Sequence, residues 1–400
     1  MQYNLNSINI SFKKLYGCVG RERTQMTIWK KVTAAVAMAG LVASFALTGC
    51  GGTQKKDTAA AQKTQVITDV KGNQVTVPKD LKKLAVVPLP WASVVYALDG
   101  SSERIAAIHP GAMSAYKGSF FTKVDPHFGK LDSKLVNQNF TPTVEGMAQA
   151  GVQACLVWQY QDKDAAKLKQ AGIAPVMIYN DTIENLKKSF RIVGKLLGKE
   201  DRAEKVIQYY DQSYNSILKH KDEVAKAKKP MILFLRNSKL RLQGNDNFMF
   251  EAIKIGGGRN PIDQSAMTNP NSNKELPMEE IYKLNPDIIF LSNFDKFVPD
   301  DLYQNRIPGQ DWSTIKAVKE HRVYKVPKGI YRWDAPGVET PLMMRWMAYM
   351  MQPEIFKDID IRKETKAFYK DFIHYDASDE DLKQIFADEA NHNSVFPGAK

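Results

Sequence analysis

Short apolar runs alternate with amphipathic stretches along most of the chain, and this pattern predicts an α/β protein. Each run is five or six residues long, which suits a strand that is buried on both faces. Strands that alternate with helices form parallel sheets with helices on both sides. The predicted strands are 84–88, 104–108, 154–158, 175–179, 231–236, 287–291 and 322–326.

Two further patterns complete the predicted architecture. Alternating residues on both sides of 71–73 (Lys-Gly-Asn) predict a β-hairpin at the start of the folded region. Apolar residues then recur at helical spacing over 183–197, and Gly198 fits a C-cap. A second helix of about twenty-five residues is expected from Glu200 onward. The expected order is a sheet lobe, a long helix and a second sheet lobe.

The first fifty residues have a different character. Two lysines precede the apolar run 32–47, which is short for a membrane span and predicts a secretory signal. The run ends in Leu-Thr-Gly-Cys, which matches a lipobox, so we expect Cys50 to be lipidated and to become the mature N-terminus. A plain signal or a retained anchor helix is the alternative. Residues 1–25 fit no part of a signal, whereas Met26 would start one of normal length.

Charge and cysteine content narrow the class of protein. The chain has 44% hydrophobic and 25% charged residues, which is ordinary for a folded protein, and a formal charge of +12. Removing residues 1–49, with six basic residues and one acidic residue, leaves +7. This excess favours an anionic ligand or an anionic membrane surface, although lysine-rich solvated faces produce the same charge. The sequence contains no stripe of basic and aromatic residues of the kind that indicates nucleic-acid binding. Cys18 falls in the removed segment, so Cys155 is left alone and is expected to be a small buried residue without a disulfide.

One helix-then-strand unit occurs twice. TVEGMAQAGVQACLVW and PMEEIYKLNPDIIFLS each predict a short amphipathic helix that leads into a buried strand. Glu145 lies seven positions before Val152, and Glu279 lies seven positions before Pro286. Such units are common in α/β proteins, and the matching glutamates make this pair noteworthy.

Together with VITDVKGNQVTVP and the later GGRN, these stretches resemble the helical-backbone class of substrate-binding proteins. That class serves ATP-driven importers of iron–siderophore complexes, haem, cobalamin and related chelates. Each lobe in it carries E-x(6)-P-D before an apolar strand, and the glutamate pairs with arginines of the permease. EEIYKLNPDIIFL fits in full, whereas the first copy has Val152-Gln153 in place of Pro-Asp. The resemblance implies that Glu145 and Glu279 dock the permease; two solvated glutamates are the alternative.

Pattern and resemblance together give an expected organisation of two lobes, each with a mainly parallel sheet, joined by a single long helix around a ligand cleft. The expected segments are the signal peptide 1–49, the lipidated N-terminus and tether 50–65, the N-terminal lobe 66–199, the connecting helix 200–226 and the C-terminal lobe 227–400.

Candidate ligand-binding residues follow the predicted strands. Open parallel sheets bind ligands beyond the carboxyl ends of their strands, and two facing lobes would place these ends around one cleft. Aromatic rings suit the flat faces of chelates, and arginines suit carboxylate or oxyanion groups. Any of the rings could instead belong to the core. The candidates are Trp91, His109, Trp158 and Tyr160 in the first lobe, and Arg236, Asn293, Phe294, Tyr331, Arg332 and Trp333 in the second.

No metal site, resident cofactor or catalytic residue is expected. Histidine and cysteine pairs with metal-ligand spacing are absent, as are the nucleophile-elbow and P-loop motifs. Five methionines between 343 and 351 fall too densely along a helix to share one face, so core packing is the better interpretation.

The expected function is therefore an extracytoplasmic substrate-binding protein that captures a metal chelate, with a ferric siderophore as the leading ligand. A molybdate- or tungstate-type oxyanion, haem and cobalamin are alternatives, and an exported enzyme or an adhesion lipoprotein is the rival class. The expected partners are an ABC permease with its ATPase, and the membrane through the lipid anchor. The protein is expected to be a monomer, in the periplasm or at the outer face of the cytoplasmic membrane.

Overall fold

The computed structural model describes residues 63–179, 181–243, 247–261 and 275–398. The predicted signal, the lipidation site Cys50 and nearly all of the tether lie outside these residues. Within the described ranges no helix has the length and apolar character that crossing a membrane requires.

The predicted hairpin is confirmed at the start of the described chain. Strands β1 (Thr64–Thr68) and β2 (Gln74–Pro78) pair antiparallel. The Asp69 carboxylate accepts hydrogen bonds from the main-chain amides of Lys71 and Asn73, each at 2.9 Å, and closes the turn. This is the side-chain-to-backbone bonding that favours aspartate at turns.

The first lobe contains a four-stranded parallel sheet in the order β4-β3-β5-β6. Residues of β3 and β5 are buried throughout, which explains why the sequence shows continuous apolar runs instead of alternation. The strands are β3 (Leu84–Val86), β4 (Ile105–Ile108), β5 (Ala154–Trp158) and β6 (Ala174–Ile178). The helices are α1 (Trp91–Asp99), α2 (Pro110–Lys117), α3 (Phe121–Val124), α4 (Val144–Gln149) and α5 (Asp162–Gln170), with a 3-10 turn at Pro126–Lys130.

Two packed helices lead from the first lobe to the second. Helix α6 (Ile183–Leu197) ends at Gly198, whose φ of +66 gives the left-handed C-cap that the sequence predicts. Helix α7 (Glu200–Leu218) follows, and a short turn separates it from α8 (Lys221–Lys226). The long helix is therefore present, but the predicted stretch of about twenty-five residues is one long helix and one short helix.

The second lobe contains a three-stranded parallel sheet in the order β7-β8-β9. All seven predicted parallel strands are thus confirmed, within one or two residues at each end. The strands are β7 (Ile232–Leu235), β8 (Ile288–Leu291) and β9 (Val323–Lys325). The helices of this region are α9 (Asn247–Ile255), α10 (Met278–Leu284), α11 (Pro299–Tyr303), α12 (Lys316–Lys319), α13 (Thr340–Met351), α14 (Ile361–Phe368) and α15 (Asp379–Ile385), with a π-helical turn at Tyr369–Ile373.

Helix α13 packs on the long helix and carries the five methionines. All five are buried, at 3% exposure or less, in the same apolar cluster as Trp346 and Phe290. The core-packing interpretation of these methionines is confirmed.

Candidate ligand-binding site

The carboxyl ends of the three second-lobe strands bring four predicted site residues together. Arg236 directly follows β7, Phe294 follows β8 by three positions, and Tyr331 and Arg332 lie on the loop after β9. The guanidinium carbon lies 3.9 Å from the Phe294 ring centre for Arg236 and 4.6 Å for Arg332. Phe294 is therefore a shared platform for two cations, which the quadrupole of its ring stabilises.

Hydrogen bonds fix the orientation of both guanidinium groups. Arg332 donates from Nε to the Asn293 carbonyl at 2.9 Å and from Nη1 to the Tyr331 hydroxyl at 2.8 Å. Arg236 donates to Gln243 Oε1 at 2.8 Å. Planar guanidinium forks held in this way are prepared for carboxylate or oxyanion groups, because little side-chain freedom remains to be lost on binding.

Asp334 ends the loop segment YRWD and interacts electrostatically with both arginines. It is fully buried; its Oδ2 accepts a hydrogen bond from Ser292, and its Oδ1 has no hydrogen-bond partner among the described residues. Burial raises the pKa of Asp334, while the Ser292 hydrogen bond and the charges of Arg332, Arg236 and Lys325 oppose that rise. Asp334 is thus the one carboxylate set against the three positive charges of Arg332, Arg236 and Lys325, and the net charge of this group is positive.

Two lysines add to this positive charge. Lys325 is buried, and its ammonium group donates to the carbonyls of Ser292, Asp295 and Phe297 at 2.7–2.9 Å. Burial lowers the pKa of Lys325 and of Lys328 to about 8 in each case. At neutral pH both lysines are mostly protonated, so the site favours an anionic ligand.

The loop after β9 also contacts the first lobe. Tyr331 and Ala335 form a small buried cluster with Ala115 of α2, and Leu89 and Phe294 pack against it. Lys328 donates to the carbonyl of Gly118 at 2.8 Å, which joins the same loop to the first lobe. The loop after β9 therefore carries both an arginine of the site and the contacts between the lobes.

The other predicted residues have structural contacts in this conformation. Trp91 is fully buried against Phe190, and its indole nitrogen has no hydrogen-bond partner in the described part of the chain. His109 is buried; its Nδ1 accepts from the Gly111 amide and caps α2, and burial lowers its pKa, so the ring is neutral at pH 7. Trp333 is fully buried. Asn293 donates to the carbonyls of Val326 and Pro327 and anchors the loop.

Trp158 and Tyr160 form a separate aromatic pair in the first lobe. Their rings are stacked with centres 6.3 Å apart, and Tyr160 is 57% exposed. No contact between this pair and the arginine site occurs among the described residues, so the structure does not join the two groups in one constellation.

Several residues of the site are missed by sequence reasoning. Gln243 connects Arg236 to the loop, because its amide donates to the Asp334 carbonyl at 2.8 Å. A lysine at the end of an otherwise apolar strand is the signal that could have found Lys325. Gln243 and Ser292 have no comparable signal, because each is an ordinary polar residue in a loop.

The loop after β9 also contains a glycine with a steric role. A Cβ at Gly329 would overlap Glu339 Oε1 and Tyr369 Oη, both of them buried. We expect Gly329→Ala to lower the free energy of unfolding by about 1–3 kcal/mol, because the clash forces a shift of buried groups. Gly337→Ala is the matched control, since its added Cβ would meet nothing closer than 3.8 Å. Chemical denaturation of both variants measures the difference; equal stability would contradict the steric role.

The fold and this geometry agree with comparisons to known proteins. A family model described as "Periplasmic binding protein" matches residues 123–329, a little more than half of the chain. The chain belongs to the periplasmic binding protein family. Proteins of this family bind a substrate and deliver it to an ABC importer. The resemblance to substrate-binding proteins that the sequence predicts is therefore confirmed.

Three relatives of this periplasmic binding protein show how far the similarity extends. The crystal structure of a periplasmic solute binding protein from Veillonella parvula DSM 2008 is 42% identical, with a TM-score of 0.77, and the match covers 82% of this chain and 99% of that chain. The ABC transporter substrate-binding lipoprotein YvrC of Bacillus subtilis (strain 168), itself uncharacterized, is 27% identical over 82% of this chain and 100% of its own length. The iron-uptake system-binding protein of the same organism is 26% identical over 66% of this chain and 80% of its own length.

The two predicted docking glutamates occupy equivalent positions in the binding protein. Glu145 is the second residue of α4, and Glu279 is the second residue of α10. Each lies nine positions before the first residue of the strand that follows, β5 or β8. Both side chains are exposed, and neither has a hydrogen bond or an ion pair within the described ranges. Two carboxylates are thus available on corresponding surfaces of the two lobes.

The structure also explains the departure from Pro-Asp in the first copy. Gln153 Oε1 accepts from the amides of Lys82 and Lys83 at 2.7 and 3.1 Å, directly before β3. Asp287 Oδ2 accepts from the amide of Met231 at 2.7 Å, directly before β7. The glutamine therefore binds the same main-chain position as the aspartate, and the unit keeps its geometry.

Proposed function

We propose that this periplasmic binding protein captures an anionic iron chelate of the ferric siderophore type between its two lobes. The observation that carries the proposal is the pair of oriented guanidinium groups on the Phe294 ring. Arg236 and Arg332 supply positive hydrogen-bond donors for the carboxylate or other oxyanionic groups of a chelator. Phe294 supplies the apolar contact, and Tyr331, which is buried against Ala115 and Ala335, supports Arg332 through its hydroxyl. The similarity to an iron-uptake system-binding protein supports iron as the metal.

A molybdate- or tungstate-type oxyanion is the second candidate. The positive charge of Arg236, Arg332, Lys325 and Lys328 favours a small oxyanion as much as an anionic chelate. Such an ion needs no aromatic platform, and this favours the chelate. Haem and cobalamin fit less well, because burial of Trp91 and Trp333 removes two of the large flat faces that a macrocycle would use.

The protein acts by capture and delivery without covalent chemistry. Cys155 is buried, and burial raises the pKa of its thiol, so a thiolate nucleophile is not available at neutral pH. The loaded protein docks through Glu145 and Glu279 on the permease, and ATP hydrolysis by the importer drives release.

Export and anchoring follow from the N-terminal segment. Residues 1–49 act as the signal, Cys50 carries the lipid, and the residues between Cys50 and the start of β1 at Thr64 form the tether that leaves the binding domain free to reach the permease. The domain works as a monomer with an N-terminal lobe at 66–199, a connecting segment at 200–226 and a C-terminal lobe at 227–400. The similarity to a substrate-binding lipoprotein supports the anchor.

A fluorescence titration tests the ligand. The protein produced from Gly51 onward, without lipid, is titrated with ferric siderophores, ferric citrate, haem, cobalamin, molybdate and free divalent metals. We expect saturable quenching of tryptophan fluorescence by an iron chelate at micromolar concentration or below, because Trp333 adjoins Arg332 on the site loop. Saturation by molybdate alone would establish the second candidate. A flat response to every member of the panel would contradict the proposal.

A further inference from the structure

A buried carboxylate lies beneath the loop that carries Arg332. Glu339 immediately precedes α13 and is fully buried by the protein around it. Its Oε1 accepts from the Ile330 amide at 3.1 Å, from the Trp333 indole at 3.0 Å and from the Tyr369 hydroxyl. Its Oε2 accepts from the Tyr331 amide at 2.9 Å. Four donors from two parts of the chain thus converge on one carboxylate, and three of them belong to the site loop.

The same carboxylate connects the site loop to the first lobe. Tyr369 lies in the π-helical turn after α14, and its ring meets Phe120 of the first lobe edge-on with centres 4.9 Å apart. Gly329 leaves the space that Glu339 and Tyr369 fill. Glu339 therefore holds the site loop, and its hydrogen-bond partner Tyr369 contacts the first lobe.

This arrangement is unfavourable for the fold at neutral pH. Burial raises the pKa of Glu339 to about 7, although the four hydrogen bonds oppose that rise. The pKa in the folded protein is above the ordinary value of 4.5. The stability that protonation gives is therefore fully present below pH 4.5 and is lost as the pH rises through 7. No cation pairs with Glu339 among the described residues. A carboxylate that lowers the stability of the folded protein at neutral pH is better explained by a role in holding the ligand-binding site.

We propose that Glu339 is a positioning residue that holds the site loop, and with it Tyr331 and Arg332, in the conformation that binds the ligand. The inference rests on the proposed function for its consequence in ligand affinity. We call the four hydrogen bonds that Glu339 accepts the clamp; the clamp is present in the ligand-free protein and can be tested without a ligand. Only a carboxylate supplies acceptors to all four donors, because a glutamine amide would turn an N–H group toward at least one of them.

The proposal implies a particular pH dependence of ligand affinity. Protonation of Glu339 removes an acceptor and adds a donor among four donors, so affinity should fall as the pH drops below about 7. The titratable neighbours of Glu339 are Tyr210, Tyr331 and Tyr369, whose pKa values burial raises, so they stay neutral in this range. Lys325 and Lys328 lose charge above about 8 and should weaken anion binding on the alkaline side.

Glu339→Gln tests the clamp in two measurements on the same protein. Hydrogen–deuterium exchange of the ligand-free protein should show faster exchange of the Ile330 and Tyr331 amides than in the wild type. Affinity for the iron chelate that binds the wild type should fall about tenfold at pH 7.5. The acid decline of affinity should disappear, while the alkaline decline remains. Glu364→Gln is the control, because that carboxylate pairs with Arg345 and not with the site loop.

Each outcome decides a separate question. Unchanged exchange at both amides in Glu339→Gln overturns the clamp, whatever the ligand. Faster exchange with unchanged affinity overturns the positioning role. If no chelate binds the wild type, the proposed function fails, and the exchange measurement still decides the clamp. If Glu339→Gln does not fold, Tyr369→Phe replaces it: loss of one hydrogen bond that lowers the pKa of Glu339 should move the acid decline to higher pH. An acid decline that stays in place would then contradict the proposal.

Discussion

Replacing Glu145 and Glu279 together with alanine is expected to abolish ligand uptake by cells and to leave the affinity of the purified protein unchanged. Both carboxylates are exposed on short helices and have no partner within the described part of the chain, so their removal leaves no buried group unpaired. One exposed ion pair contributes about 0–1 kcal/mol. Two pairs at separate points also fix the orientation of the docked protein, so their joint loss should exceed the effect of either single variant.

Uptake of labelled ligand and affinity must be measured for the same variants. Glu103→Ala with Glu280→Ala is the matched control, because these glutamates are also exposed and remove the same charge, one from each lobe. The control should retain uptake. A loss of ligand affinity in the Glu145 and Glu279 double variant would contradict the role of these glutamates in docking, and so would normal uptake by that variant.

The architecture is predictable from the sequence because its signals are local and strong. Continuous apolar runs mark strands that are buried on both faces, and the seven parallel strands follow from them. Gly198 marks the end of α6 because a left-handed C-cap favours glycine. The break between α7 and α8 is harder to find. Residues 219 and 220 are a lysine and a histidine, which carry no strong helix-breaking signal.

The site is predictable only in part, because position after a strand does not determine which way a side chain points. Arg236, Phe294, Tyr331 and Arg332 were expected near one cleft, and the structure brings them together. Trp91 and Trp333 follow strands just as directly but are fully buried. Hydrophobicity favours burial of a large indole wherever the core has room, so aromatic content overestimates the accessible aromatic surface.

The hydrogen-bond partners of the buried polar groups below the site were not predictable, because these partners are far away in sequence. Lys325 binds carbonyls about thirty positions before it, and Tyr369 donates to Glu339 from thirty positions after it. These groups are costly to bury; Lys325 supports the segment after β8, and Glu339 supports the loop after β9.

Replacing Arg236 and Arg332 together with alanine is expected to reduce ligand affinity by at least about a hundredfold. Each guanidinium group should contribute charge-assisted hydrogen bonds of about 1.5–3 kcal/mol to an anionic ligand, and every 1.4 kcal/mol is about tenfold in affinity. The Phe294 ring would remain, so apolar contact alone should not restore binding. Replacement of both arginines with lysine should give an intermediate affinity, because lysine keeps the charge and loses the fork.

Titration calorimetry over a series of salt concentrations measures these effects, and thermal unfolding checks that each variant is folded. Arg241→Ala with Arg306→Ala is the matched control: both are half-exposed arginines of the second lobe that pair with carboxylates, Glu275 and Asp301. The control should bind as the wild type does. Wild-type affinity in the Arg236 and Arg332 double alanine variant would place the ligand elsewhere. The exposed ring of Tyr160 in the first lobe, which stacks on the buried Trp158, would then be the next surface to test.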